Sequence, residues 1–268
     1  MSVFGSEQRK VKVAVAGALG RMGRAVIAAV EARPNLEVVA KFDQPDATGE
    51  GLVSREEALR AADVLIDFTT PEASVEIAQA CAKRGDVALI SGATGMSGDQ
   101  LEQIRRAAQR VPVVRTSNFS LGLNVMLGLV AQAAARLGPE DWDIEIFEAH
   151  HKHKVDAPSG TALMLGEAAA RARGVALGMM SERARDGITG ARREGAIGFS
   201  VMRAGAIVGE HSVTFASEEE ILTFSHSARD RALFARGAAL AAEWIAGKPV
   251  GFYDMQDVLG FRDADGGD

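Results

Sequence analysis

The chain has 268 residues, of which 47% are hydrophobic and 25% charged, and its formal net charge is -6 at pH 7. This acidic balance excludes a general nucleic-acid or membrane-surface binder, and the length favours two domains over one. No apolar run reaches the roughly 18 residues that span a bilayer, and we expect the first ten residues to form a polar leader. The single cysteine, Cys81, excludes an internal disulfide and favours a reducing cytoplasm. We expect it to be a buried helix residue without chemistry.

The first 116 residues alternate between short apolar strands and amphipathic helices. The predicted strands cover residues 11–16, 36–43, 63–68, 87–92 and 112–116. Helices are predicted within residues 17–34, 73–85 and 98–110. Strands that alternate with helices of this length form a parallel sheet covered on both faces. The sequence therefore predicts an α/β fold with a Rossmann-like, doubly wound parallel sheet.

The second half of the chain has a different pattern. An alanine-rich helix extends to about residue 138, and four strand candidates follow with short loops between the last three: 142–149, 196–203, 206–216 and 220–226. This pattern predicts a second, α+β domain that contains a mixed sheet. A long helix over residues 229–247 places Leu233, Ala239, Leu240 and Trp244 near one face, and its pattern fits packing on either domain.

A glycine turn follows the first predicted strand. Gly17, Gly20 and Gly23 form GxxGxxG, a variant of the dinucleotide fingerprint, with Leu19 at the middle glycine position. Glycine lets the backbone approach a pyrophosphate, whose charge the helix amides then bind. Asp43 ends the second strand, where an acid can accept hydrogen bonds from the adenosine ribose. The alternative is a tight turn with an incidental surface aspartate, but the order of strand, turn, helix and acid favours the cofactor site.

Three more observations bear on the cofactor. Gln44 stands where an enzyme that uses NADPH often has arginine, and Asp43 would repel the extra phosphate despite the nearby Lys41. We therefore expect NADH to be used at least as well as NADPH. Two loops that follow later strands, 92–95 and 116–120, are also candidates to line the nicotinamide half of the site. Their alternative interpretation is as ordinary polar turns.

The segment EAHHKHKVDAPSGT, residues 148–161, holds three of the five histidines and two lysines. The histidine spacing does not match a zinc signature and the lysines would repel a dication, so no metal site is predicted. A solvated basic loop is the second interpretation. The third is an anion site, because Ser159 can cap a helix whose first residues, Gly160 and Thr161, offer amides and a hydroxyl. A histidine can donate a proton there while lysines bind negative charge, which suits hydride reduction of an anionic substrate.

Blocks along nearly the whole chain resemble the dihydrodipicolinate reductases, also called 4-hydroxy-tetrahydrodipicolinate reductases, of bacterial and plant lysine biosynthesis. They are GALGRMGR, DFTTPEAS, SGATG, NFSLGLN, EAHHKHKVDAPSGTAL, RAGAIVGEHSVTFA and FYDMQDVLG. The resemblance implies a cytoplasmic homotetramer that reduces a small cyclic dicarboxylate to tetrahydrodipicolinate with NADH or NADPH. It also implies a dinucleotide-binding domain of residues 1–121 and 231–268, and a substrate-binding and tetramerisation domain of residues 122–230.

The resemblance also implies roles for single residues. His150 matches the proton donor, Lys154 a substrate-binding lysine that also helps proton transfer, and His151 a substrate ligand. Gly160 and Thr161, beside Ser159, match the pair that grips a substrate carboxylate. The matched cofactor positions are Gly17, Ala18, Leu19, Gly20, Arg21, Met22, Asp43, Gln44, Gly92, Ala93, Thr94, Thr116, Ser117, Asn118 and Phe119. Leu19 and Gln44 depart from the glycine and arginine of some members, which leaves the cofactor preference open.

Two other classes remain as alternatives. A different NAD(P)-dependent dehydrogenase of an amino-acid pathway, of the aspartate or homoserine type, shares the first half but is not expected to carry the histidine motif. A non-enzymatic NAD-binding sensor needs the segment from Gly17 to Asp43 but neither His150 nor Lys154.

Overall fold

The computed structural model describes residues 9–230 and 232–262. Most of the expected polar leader, residues 1–8, lies outside the described residues. The chain forms two compact units, one made of residues up to Leu121 and from Ala232 onward, and the other of the residues between them. No helix in the described ranges is long and apolar enough to cross a membrane.

The first unit begins with five strands, each close to its predicted range: β1 (Val11–Ala16), β2 (Leu36–Phe42), β3 (Val64–Asp67), β4 (Ala88–Ser91) and β5 (Pro112–Arg115). Four helices lie between them: α1 (Arg21–Glu31), α2 (Arg55–Ala61), α3 (Pro71–Arg84) and α4 (Gly98–Ala107). Helix α2 was not predicted, although Ser54 and Glu57 form a capping box at its start. Cys81 is buried in α3, and burial raises the pKa of its thiol to about 12, which leaves it a packing residue.

The second unit contains the middle of the chain. Its elements in order are α5 (Leu121–Ala134), β6 (Asp143–His150), α6 (Gly160–Ala172), α7 (Leu177–Met180), β7 (Ser181–Glu182), β8 (Ile197–Arg203), β9 (Gly209–Ala216) and β10 (Ile221–Ala228). The chain then returns to the first unit through α8 (Ala232–Ile245), β11 (Gly251–Tyr253) and α9 (Met255–Val258). The elements α7, β7, β11 and α9 are short and were not predicted.

The sheet of the first unit has six parallel strands in the order β11-β5-β4-β3-β1-β2. Alternate residues of one strand enter two separate apolar cores, since Leu65 belongs to one and Ile66 to the other. A sheet buried on both faces is the predicted doubly wound arrangement. The carboxyl ends of these strands share one edge, where ligands of such sheets bind.

Helix α8 packs against α1 in the core of the first unit. Of the four residues that the sequence places near one face, Ala239 is fully buried and Trp244 packs half-buried against the same core. The buried stripe consists of small residues: Ala235, Gly237, Ala238, Ala239, Ala241, Ala242 and Ile245. Leu233 and Leu240 are half-buried, so the closest contacts of α8 are made by alanine and glycine. A Cβ on Gly237 would lie 1.8 Å from the Phe119 carbonyl oxygen. Helix α8 can therefore pack this closely on Phe119 only because residue 237 has no side chain.

The sheet of the second unit has the order β10-β9-β6-β8-β7. Strand β6 is parallel to β8 and antiparallel to β9, which makes the sheet mixed, as predicted. Ile144, Ile146, Val213 and Phe215 point to one face and form a core with α5 and α6. Glu148 and His150 continue this same face toward the carboxyl end of β6.

Candidate active site

The glycine turn lies between β1 and α1. Gly17 has φ 64°, which a side chain disfavours. A Cβ on Gly23 would lie 2.1 Å from the Gly17 carbonyl oxygen, so only glycine lets α1 pack this closely on the turn. Gly20 caps α1 without a side-chain hydrogen bond, and the first amides of a helix carry no intrahelical acceptor. The turn therefore presents backbone donors and a positive helix end to an anion.

Asp43 follows the last residue of β2 and holds the glycine turn. Its Oδ2 accepts a hydrogen bond from the Leu19 amide at 2.9 Å, and its Oδ1 accepts one from the Gln44 amide at 2.9 Å. The sequence therefore brings the acid and the turn together at one edge of the sheet. Among the neighbouring predicted residues, Ala18 is buried, Met22 is half-buried, and Leu19, Gly20, Arg21 and Gln44 are exposed.

The loops after β4 and β5 lie at the same edge of the sheet. Gly92 packs under a ring, since a Cβ there would lie 2.3 Å from the Phe68 side chain. Phe119 is a buried core residue whose ring centroid lies 5.4 Å from that of Phe68. Because its side chain is used in this packing, any contact of Phe119 with a cofactor must come from its backbone. The exposures of the others differ: Ala93 and Thr116 are buried, Asn118 is half-buried, and Thr94 and Ser117 are exposed.

A buried carboxyl group that sequence reasoning did not single out completes this edge. Asp67 ends β3, and its Oδ1 accepts hydrogen bonds from the Thr69 amide at 2.8 Å and the Thr69 hydroxyl at 2.6 Å. Burial raises the pKa of the Asp67 carboxyl. Thr69 in turn lies against the glycine turn, because its methyl group would be 3.0 Å from a Cβ on Gly17.

In the second unit, His150 is the last residue of β6. Its Nδ1 lies 2.6 Å from Oε2 of Glu148, a side chain only 1% exposed. Arg203, at the end of the neighbouring β8, donates to both oxygens of Glu148, at 2.8 and 2.7 Å. Burial favours a raised pKa for this carboxyl, but hydrogen bonds from Arg203, His150 and the Ser159 amide outweigh it and lower the pKa.

A second buried histidine lies against the first. The rings of His150 and His211 meet edge to face with centroids 5.1 Å apart, and Nε2 of His211 lies 3.1 Å from the Ser159 hydroxyl. Burial, with a smaller contribution from His150, lowers the pKa of His211 to about 4. His211 is therefore neutral at physiological pH.

The basic loop follows β6 directly. Lys154 pairs with Asp156 at 2.9 Å, and this pairing lowers the pKa of the Asp156 carboxyl. A cleft of about 780 Å³ opens beside the loop. Its lining contains more cationic than anionic side chains and comprises His151, Lys152, His153, Gly205, Ala206, Val208, Arg229 and Asp230.

The N-terminus of α6 lies at the end of this loop. Ser159 caps the helix as predicted, since its hydroxyl accepts from the Ala162 amide at 3.2 Å. The Ser159 amide itself donates to Glu148 at 2.9 Å, which ties the start of the helix to β6. Gly160 is exposed, with nothing within 4 Å of the place a Cβ would take, and Thr161 is half-buried beside it. The Gly160 backbone is therefore open to close approach by another group.

The hydrogen bonds of Glu148 bring His150 and Ser159 together at the carboxyl end of β6, and the Lys154 amide donates to the His151 carbonyl at 3.1 Å. Of the predicted substrate residues, His151 lines the cleft of about 780 Å³. Sequence reasoning did not assign roles to Glu148, Arg203, His211 or Arg229, although Glu148 belongs to the motif itself. Within the described ranges, no group of three or more His, Cys, Asp or Glu residues is placed to hold a metal ion.

A parallel sheet with a glycine turn and an acid at the end of β2 is typical of dinucleotide-dependent oxidoreductases, and the second unit adds a histidine bound to a buried carboxylate beside a helix N-terminus. Models for the N-terminus and the C-terminus of dihydrodipicolinate reductase match residues 11–119 and 122–259. The chain belongs to the dihydrodipicolinate reductase family.

Individual relatives agree with the family models. A 4-hydroxy-tetrahydrodipicolinate reductase of Caulobacter vibrioides is 62% identical over 94% of this chain and 98% of its own. The corresponding protein of Rhizobium rhizogenes is 48% identical over 93% of this chain and 97% of its own. A solved structure of dipicolinate-bound dihydrodipicolinate reductase from Paenisporosarcina is similar with a TM-score of 0.75 at 25% identity, covering 91% of this chain and 97% of that one. The predicted family and fold class are confirmed.

Proposed function

We propose that the chain reduces 4-hydroxy-tetrahydrodipicolinate to tetrahydrodipicolinate with NADH or NADPH, the activity for which its Caulobacter and Rhizobium relatives are named. One observation carries the proposal. At the carboxyl end of β6, a histidine bound to a buried carboxylate lies beside a basic loop and a helix N-terminus. This arrangement offers a proton and two kinds of anion contact to a dicarboxylate.

The first unit fits the cofactor. Gly17, Gly20 and Gly23 leave the turn without side chains that would cover α1, and Asp43 lies at the adjacent strand end. In this proposal residues 1–121 and 231–268 form the cofactor domain. The predicted positions in the turn and in the loops 92–94 and 116–119 bind the dinucleotide, with Phe119 acting through its backbone. When bound, the reduced nicotinamide supplies a hydride.

The second unit, residues 122–230 in the proposal, binds the substrate. Lys154 and His151 bind one carboxylate, and the Ser159 to Thr161 turn binds the other through its amides and hydroxyl. After loss of water from the 4-hydroxyl form, the conjugated imine accepts hydride at ring C4. His150 then donates the proton that balances the added hydride. The cations relieve the negative charge that hydride addition places on the ring.

We further propose that the enzyme is a cytoplasmic homotetramer assembled through the second unit. The outer face of its mixed sheet supports this assembly, because most of its side chains are uncharged: Phe147, Ser200, Met202, Ser212, Thr214, Ile221, Thr223 and Ser225. Asp143, Glu145 and Glu210 lie on the same face, and the first two pair with Arg192. Ile221 is 71% exposed and Met202 45% exposed in the single chain. A broad sheet face with mostly uncharged side chains fits a second copy of itself.

A coupled assay tests the proposed activity. The aldolase-type synthase that forms the substrate is mixed with the purified chain, and the absorbance of the reduced cofactor is followed. We expect cofactor oxidation that depends on both enzymes. Cofactor binding without turnover would instead favour an NAD-binding sensor, and turnover of aspartate or homoserine would favour a dehydrogenase of that type.

The same assay with each cofactor tests its preference. Because Asp43 lies beside the turn and Gln44 supplies no charge, we expect kcat/KM with NADH to equal or exceed that with NADPH. A preference for NADPH of about a hundredfold or more would contradict this role for Asp43.

A further inference from the structure

We propose that Glu148 is a positioning residue that holds His150 in its proton-donating state and ties it to the carboxylate-binding turn. The proposal rests on the role of His150 in the proposed function. Glu148 touches neither substrate nor cofactor in this scheme and acts through His150 and Ser159.

The hydrogen bonds of Glu148 determine which nitrogen of His150 carries a proton. The carboxylate receives hydrogen bonds from two Arg203 nitrogens and from the Ser159 amide, so it remains ionised and can only accept. Nδ1 of His150, 2.6 Å away, must therefore be the donor in this pair. A carboxylate on one ring nitrogen stabilises the protonated ring and leaves Nε2 as the nitrogen that gives up its proton.

The position of His150 is fixed on several sides. Arg203 grips both oxygens of Glu148 and also donates to the Asp156 carbonyl at 2.6 Å, which prevents the carboxylate from rotating. Nε2 of His150 lies next to Gly209, where a Cβ would be only 3.1 Å away. Gly209 therefore leaves open the space beside the nitrogen that donates.

The Glu148 carboxylate also fixes the distance between the proposed proton donor and the start of α6. Its Oε2 binds His150 and its Oε1 binds the Ser159 amide, one residue before Gly160. The proton donor on β6 and the anion-binding start of α6 are thus fixed to one side chain that is 1% exposed. A ligand carboxylate held by the turn is then placed at a set distance from the donor.

The charges around His150 explain why its partner matters. Glu148 is the anion in contact with the ring, while Arg203 grips that same carboxylate, and neutral His211 packs edge to face on the ring. Lys154 contributes further positive charge near His211, while burial lowers the pKa of His226 and so disfavours its charged form. Exchange of Glu148 for glutamine removes the anion and turns an amide donor toward Nδ1, so the neutral ring is favoured.

The test compares Glu148→Gln with the wild type in the coupled assay over a range of pH. We expect kcat to fall about 10- to 100-fold, and its decline on the alkaline side to begin about one pH unit lower or more. The Kd for NADH, measured by fluorescence, is expected to change less than about threefold because the glycine turn belongs to the other unit. The matched control is Glu167→Gln, the same change at an exposed position of α6, which we expect to leave kcat and its pH profile unchanged.

A double variant separates this proposal from the proposed function. If Glu148 acts mainly through His150, Glu148→Gln lowers kcat much less in a His150→Gln background than in the wild type, and the loss that remains reflects its bond to Ser159. An equal loss in both backgrounds, or a wild-type pH profile in Glu148→Gln, would overturn the positioning role. A wild-type kcat in His150→Gln alone would overturn the proposed function instead.

The conservative variant keeps the test decisive if Glu148→Gln does not fold. Glu148→Asp retains the charge but is shorter by one methylene, so we expect kcat to fall less than in Glu148→Gln and the alkaline decline to stay near that of the wild type. An alkaline decline about one pH unit lower in Glu148→Asp would contradict the proposal, because the negative charge would then not be what stabilises protonated His150.

Discussion

Single residues of the candidate site are held with very different strength. His150 is fixed by Glu148, which is buried and bound by Arg203 through two nitrogens. Lys154 instead pairs with Asp156, whose side chain is 53% exposed, and such a pair contributes little free energy. Under the proposed function, Lys154 would therefore exchange Asp156 for a substrate carboxylate at small cost, while Glu148 keeps His150 in place.

Substitutions of Thr161 test the proposed binding of a substrate carboxylate by its hydroxyl. Thr161→Val removes the hydroxyl proposed to bind a substrate carboxylate, so KM for the substrate should rise about 10-fold or more with a smaller change in kcat. Thr161→Ser, which retains the hydroxyl, is the control and should keep KM within about threefold of the wild type. Steady-state kinetics with varied substrate measure both. A normal KM in Thr161→Val would remove this residue from substrate binding.

The sequence indicated the motif residues but not the network behind them. His150 and Ser159 were found because histidine, serine and glycine at a helix start are typical of proton and anion chemistry. Glu148 belongs to the same motif, yet its role depends on Arg203, which lies 55 positions later on another strand. No local sequence pattern shows that two residues this far apart in the chain form a buried ion pair.

At the level of secondary structure, long apolar strands were predicted well because burial on both faces leaves a clear pattern. The strand β11 has only three residues, and its pairing with β5 joins positions more than a hundred residues apart. Short elements of this kind are set by tertiary contacts and not by their own sequence. The glycine turn lies between β1 and α1 as the sequence predicted, whereas the close packing of α1 on Gly17 at Gly23 is seen only in the structure.

Gly23 tests that packing. In Gly23→Ala the new Cβ would lie 2.1 Å from a backbone oxygen, so α1 must shift. We expect a loss of about 1–3 kcal/mol of unfolding free energy and weaker NADH binding. The control is Gly98→Ala at the start of α4, where nothing lies within 4 Å of the new Cβ and stability should be unchanged or higher. Thermal unfolding and fluorescence titration measure both effects. Equal stability of the two variants would contradict the packing argument.

At the level of the whole molecule, an acidic chain concentrates positive charge in one loop. The net charge is -6, yet residues 150–154 are all histidine or lysine. A local cationic cleft in an acidic protein selects small anions over polyanions such as nucleic acid. The assignment of function therefore follows from where the charges lie, since the total charge alone gives no such information.

The assembly can be tested on the outer face of the mixed sheet. Ser212 lies on this face between Phe147 and Ser225, so Ser212→Glu would bury a charge if two copies pack there. We expect the tetramer to give way to smaller species in sedimentation velocity. Thr189→Glu, at an exposed loop position between β7 and β8, is the control and should remain tetrameric. A tetrameric Ser212→Glu would place the interface elsewhere.

The most direct test of the account is the kcat of His150→Gln in the coupled assay, with NADH binding measured in parallel. If His150 donates the proton at the carboxyl end of β6, kcat falls by about 10² to 10⁴ while KM changes modestly and the cofactor Kd stays the same. A kcat equal to that of the wild type would contradict the assignment of this site as the catalytic centre.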